Sequence, residues 1–255
     1  MSLGNSTVKD RFGDLLIVDN SGSGITTSKQ TLKDGSGTAS AIELSDDQVA
    51  IKPQNDNTTT TFNVQNAAAS SVFSVSTSAQ TVTAMDNIVN SGCFEFNSYD
   101  LSLAANTWTP LAYGNGSLIS GTDDNNMGTS SSPATTFDVS SDSIKHAVST
   151  YYYLPYSIVI TGVDILYVGD SSSSDNIEFS LNAFTLDTNT GDLSSGAILY
   201  SKSAAAYDNS KMYISSLSAT TSNVDAGKIL LFMAKQNGTN NDLHAKVYVK
   251  YYIKG

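Results

Sequence analysis

A single cysteine, Cys93, rules out an internal disulfide, and a single arginine, Arg11, leaves no basic stripe that could neutralise phosphates. With 13 basic residues against 24 acidic ones, a net charge of −11 excludes nucleic acid as a partner. It suits instead a multi-copy surface protein kept soluble by its own repulsion. No apolar run approaches the roughly 20 residues that cross a bilayer. The opening MSLGNSTVKDRFGD has no apolar core of a signal peptide, so synthesis in a cytosol without membrane insertion is the expectation. The sequons at Asn5, Asn57, Asn115 and Asn237 then carry no meaning. Helical spacing of apolar residues is missing throughout, and only 4 prolines interrupt a Ser/Thr/Asn/Gly-rich chain. The fold class this implies is all-β, with many short strands and turns.

Catalytic patterns are missing as well. The chain has no G-x-S-x-G elbow, no glycine-rich phosphate loop and no H-E-x-x-H helix. Its two histidines, His146 and His244, read as strand-surface residues. Asp123 and Asp124 in GTDDNNMG resemble half a calcium loop, but Met127 occupies a ligand position and no glutamate follows. Asp187, Asn189 and Asp192 in DTNTGD read as a hairpin with Gly191 at positive φ rather than as a chelate. No enzyme activity, cofactor or metal is expected. Cys93, in NSGCFEF, reads as a buried, inert thiol.

What is present is a run of very short strands between residues 38 and 84. Ile42 and Leu44, Val49 and Ile51, Phe62 and Val64, and Phe73 and Val75 each alternate with polar neighbours. Period-2 alternation places each pair on one face of a strand. Strands of about four residues bury two side chains each, too few to offset their ordering entropy. They become stable when copies stack, which points to a shaft whose core is shared between chains. These eight residues are the expected oligomer core.

Residues 1–37 hold one apolar strand and strong turn signals, too thin for a core of their own. A docking arm is the reading, with Arg11, Phe12, Leu15, Leu16, Ile17 and Val18 as the anchoring residues. From residue 90 the strands lengthen and aromatics appear, with turns every 8 to 12 residues, the pattern of an antiparallel sandwich or jelly roll. The division is an arm (1–37), a shaft (38–89) and a head (90–255). In the head, Trp108 in NTWTPLAYG with nearby Tyr113 could offer sugar an aromatic platform or pack at a sandwich edge. Residues 114–136 form a long polar loop. The run Tyr151-Tyr152-Tyr153 suits a subunit interface as well as a core.

A polar arm, a shaft of tiny F-x-V and V-x-I strands and a sandwich head together resemble tailed-bacteriophage fibre, spike and head-decoration proteins. The segment TTFNVQNAAASSVFSVST in particular is similar to phage fibre shafts. The resemblance implies a homotrimer, held to another virion protein (capsid, neck or tail) by its N-terminus, with the head outward for host attachment. It carries over no receptor-binding residue. Alternatives are a decoration protein that cements the capsid shell and, from another class, a glycan-binding adhesin using Trp108, Tyr113 and the 114–136 loop.

Overall fold

The computed structural model describes residues 16–18, 23–54, 57–58, 60–84, 87–88, 90–114, 126–138, 140 and 149–254. Two compact units divide the chain, Met1–Val89 and Asn90–Gly255. The described residues contain no α-helix, and the fold is all-β.

In the first unit, β1 (Leu16–Val18), β2 (Gln30–Asp34), β3 (Ala39–Leu44) and β4 (Val49–Ile51) form one antiparallel meander. A second meander contains β5 (Phe62–Gln65), β6 (Ser71–Ser76), β7 (Thr81–Ala84) and β8 (Asn87–Ile88). Each strand pairs with its neighbour in the same chain. The β5–β6 turn is closed by Asn66, whose Oδ1 accepts from the backbone N–H of Ala68 and Ser70, both at 3.0 Å. Such an Asx turn is the reason an asparagine serves here. What these strands lack is a second layer. Among the described residues before Asn90, no hydrophobic side chain is buried, and the buried positions are Ser45, Ser76 and Thr81.

The second unit is a sandwich of two six-stranded sheets. One sheet holds β9 (Ser91–Ser102), β11 (Ala112–Tyr113), β13 (Ile158–Val168), β16 (Tyr213–Ser216), β18 (Asn223–Val224) and β20 (Asp242–Ile253). The other holds β10 (Thr109–Pro110), β12 (Tyr152–Tyr153), β14 (Asp175–Leu186), β15 (Leu193–Tyr207), β17 (Ser218–Ala219) and β19 (Lys228–Gln236). Strict alternation turns Phe94, Phe96, Val247 and Val249 inward from the first sheet, to meet Phe179, Leu181, Leu230 and Phe232 from the second. Across the gap Phe96 and Phe232 lie 6.0 Å apart, and Tyr200 donates to the Ile160 carbonyl at 2.9 Å. Each such buried side chain stabilises the fold by about 1.5–3 kcal/mol. The outward face of β20 carries Lys246 and Lys250, paired with Glu95 at 3.1 Å and Asp164 at 2.6 Å, so this face is built for water.

The second sheet is covered on both sides. Its outer face bears Phe184, Leu193, Ile229, Leu231 and Met233, capped by Trp108, Met127 and Phe137. Burial on both faces explains why β19 is apolar almost without interruption, KILLFMA, instead of alternating. The cap is tied down by backbone bonds. Trp108 N–H donates to Gly128 O and Met127 N–H to Trp108 O, both at 2.8 Å, while Phe137 and Leu193 exchange bonds of 2.8 and 3.0 Å. Residues 126–138, which take in the end of the segment 114–136 read from the sequence as a long polar loop, are therefore a packed strap.

Candidate functional site

The uncovered face of the β5–β8 sheet is built by register. Phe62 lies opposite Val75, Val64 opposite Phe73, Val75 opposite Val82 and Phe73 opposite Ala84. Cross-strand partners share a face, so Phe62, Val64, Phe73, Val75, Val82 and Ala84 form one apolar surface. Asn63, Ser74 and Thr83, also mutually paired, form the other. Phe62 and Phe73 meet edge to face at 6.1 Å, yet remain 41% and 36% exposed. In the β1–β4 sheet Ile42 opposes Ile51 and Leu44 opposes Val49, again on one face. Val49 is 69% exposed. The eight residues expected to form the oligomer core thus cluster as two apolar faces, one on each small sheet.

Of the expected anchoring residues, Leu16, Ile17 and Val18 make up β1, and Leu16 and Ile17 are exposed. Arg11, Phe12 and Leu15 lie outside the described residues, as do Asp123, Asp124 and His146.

Trp108 and Tyr113 do not form a joint aromatic platform. Trp108 is 3% exposed, packed in the outer cap with its Nε1–H donating to Ser130 O at 3.1 Å. Tyr113 turns to the inner side, against Phe94, Phe96 and Tyr152. The two-residue strands β10 and β11 pair with different sheets, which sends their side chains apart.

Cys93 also departs from expectation, because it is exposed. Phe94 and Phe96 occupy the inward positions of β9, so Cys93 and Glu95 must point out. Partial burial and the Glu95 carboxylate push its thiol above the usual range, so it is a poor nucleophile at neutral pH. In the tyrosine run, Tyr152 stacks on Phe94 at 4.3 Å, while Tyr153 stays exposed. Burial, with the Tyr251 and Tyr113 phenols nearby, raises the Tyr152 phenol pKa strongly.

Three further arrangements are outside the small sheets. A cleft of about 180 Å³ lies between the strap and the β14–β15 surface, lined by Trp108, Ser131, Pro133, Glu178, Ser201 and Lys202 among others. Asp100, Asp170 and Asp242 bring carboxylate oxygens within 4.8 Å of one another, beside His244, whose Nδ1 accepts from Asp100 N–H at 3.3 Å. The Asp187–Asp192 turn is a hairpin: Asp187 Oδ1 accepts from Asn189 N–H at 2.8 Å, and Gly191 has φ 86°. Sequence reasoning missed the acid trio, since its members are far apart in the chain.

No protein-family model matches the chain, and no curated sequence is recognisably related to it. Among solved structures, the CBM22-1–GH10 modules of Clostridium thermocellum xylanase 10B, complexed with xylohexaose, align at 9% identity and TM-score 0.25. The alignment covers 63% of this chain and 29% of that one, and at that TM-score it bears no weight here.

Proposed function

We propose that this protein is a non-enzymatic structural component of a virion, a homotrimeric fibre or spike anchored by its N-terminal residues. Its second unit is the part offered to the medium, for host attachment. One observation supports the reading above others: a unit of eight strands in which no described hydrophobic side chain is buried. Single-layer sheets of that size do not hold their shape in water. Further copies of the chain are the natural source of the missing layer. A shell-cementing decoration protein shares these features and differs in where it sits on the particle.

Mass photometry of the full chain is the test. A trimer is expected, and a monomer of 26.9 kDa at micromolar concentration overturns the reading. Removing residues 1–37 is expected to leave soluble oligomers that no longer join particles.

A second reading, a glycan-binding adhesin, is favoured by the cleft beside Trp108, whose serine hydroxyls, Glu178 carboxylate and Lys202 ammonium suit a polyhydroxylated ring. A glycan array separates the two, because a purely structural component gives no signal on it.

A further inference from the structure

We propose that copies of this chain join through the apolar face of the β5–β8 sheet, and that the β1–β4 sheet takes no part in that contact. The inference rests on the assembly reading above and narrows it to one surface with one kind of occupant, the same face of the other copies around the trimer axis.

The charge map carries it. From Asn57 to Met85, which takes in β5, β6 and β7, the chain contains no Asp, Glu, Lys, Arg or His, and the first charged residue after them is Asp86, between β7 and β8. Elsewhere a chain of net charge −11 repels its own copies. Over this sheet two copies approach without that cost. Across β5–β7 the face is apolar, made by Phe62, Val64, Phe73, Val75, Val82 and Ala84, and only at its β8 edge does the register set a polar residue, Asn87, opposite Ala84. A surface that is apolar and uncharged across three strands selects no foreign partner by electrostatics, whereas the same apolar face of another copy matches it.

The β1–β4 sheet differs on both counts. Its apolar face is interrupted by Gln30, opposite Leu44, and by Asp34, opposite Leu16. Its other face carries Glu43 and Lys52 within 4.0 Å of each other. Packing Asp34 against a copy of itself would bury like charges without compensation. The Asp34 Oδ1 is instead engaged locally, accepting from Ser36 and Thr38 N–H at 2.9 and 2.8 Å. That sheet therefore keeps its polar groups in water or meets a different surface.

The test is a set of full-chain variants weighed by mass photometry over a dilution series. Phe73→Ser and Ala84→Asp are expected to weaken assembly at least about tenfold. Thr83→Asp, one residue away on the opposite face, and Val49→Ser, on the other sheet, are expected to leave it intact. Comparing Ala84→Asp with Thr83→Asp guards against simple misfolding, since both place a new charge on β7. Assembly is also expected not to weaken between about 0.05 and 0.5 M salt, since no attractive charge pair holds the contact and salt screens the repulsion between acidic chains. If Val49→Ser disrupts assembly as strongly as Phe73→Ser, the narrowing is wrong while the assembly reading stands. Loss of assembly with Thr83→Asp equal to that with Ala84→Asp overturns it too, as does an oligomer that none of the variants alters. A monomeric wild type instead fails the assembly reading itself.

Discussion

Lys235 holds its ammonium group 5.0 Å from the centre of the Trp108 ring, and both side chains donate to one carbonyl, that of Ser130. The same ammonium lies 3.1 Å from Glu178 Oε1. One lysine thus pins the strap to the outer face of the sandwich. Lys235→Ala removes the ring contact, the bond to the strap and the partner of Glu178. A loss of about 1–3 kcal/mol is expected. Emission from Trp108, the only tryptophan, is expected to shift to longer wavelength as the strap loosens. Unchanged emission and melting would show that Met127 and Phe137 hold the strap by themselves.

Gly196 lies where the strap crosses β15. A Cβ there would come within 2.4 Å of Phe184 Cε1 and 2.9 Å of Thr135 Cα. Gly196→Ala is expected to cost about 1–3 kcal/mol through overpacking. Gly162, which has open space around it, serves as the control, and Gly162→Ala is expected to be tolerated. Thermal melting of both variants decides the matter.

Cys93 is exposed but holds its proton more tightly than a free thiol. Alkylation by iodoacetamide at neutral pH is expected to lag behind that of a small thiol, then to rise with pH as thiolate forms. Glu95→Gln removes one cause of the shift and is expected to speed the reaction. Equal rates for both proteins at every pH would dismiss the Glu95 contribution.

The Asp164–Lys250 pair gives stability a defined acid limb. Hydrogen bonds from Lys250 and Ser216 lower the Asp164 pKa below its ordinary value, and the same contact raises that of Lys250. The carboxylate's contribution is therefore present above the unfolded carboxyl range and is lost as pH falls through the lowered folded value. The lysine's contribution is present below the unfolded ammonium range and is lost as pH rises through its raised folded value. Lys250→Met is expected to flatten the decline of melting temperature below about pH 4. An unchanged acid limb would assign that decline to other carboxylates.

Much of this architecture can be read from residue order. The alternation in FNV and VFSVS places Phe62 and Val64, and Phe73 and Val75, on common faces, as the register of β5 and β6 has them. The same rule applied to CFEF places Cys93 outside as soon as Phe94 and Phe96 are inside, although apolar neighbours alone suggest burial. The strap was not legible, because Met127 is one apolar residue in a stretch of Gly, Ser, Asp and Asn. Its burial depends on β14 and β19, distant in sequence, presenting Phe184 and Leu231 beneath it. Trp108 and Tyr113 stand five positions apart, yet the chain changes sheet between them, and no local pattern announces that crossing.

Hydrophobic burial that, among the described residues, is confined to those after Asn90 gives the chain two kinds of stability. A core enclosed within one chain melts at a temperature indifferent to dilution. Strands whose second layer comes from other copies obey mass action, so their melting point falls as the protein is diluted. A calorimetric trace is then expected to show one transition fixed in temperature and another that moves with concentration. On the proposed assembly, newly made chains would complete the β5–β8 sheet only once enough copies had accumulated, so that its folding marks the abundance of the protein around it.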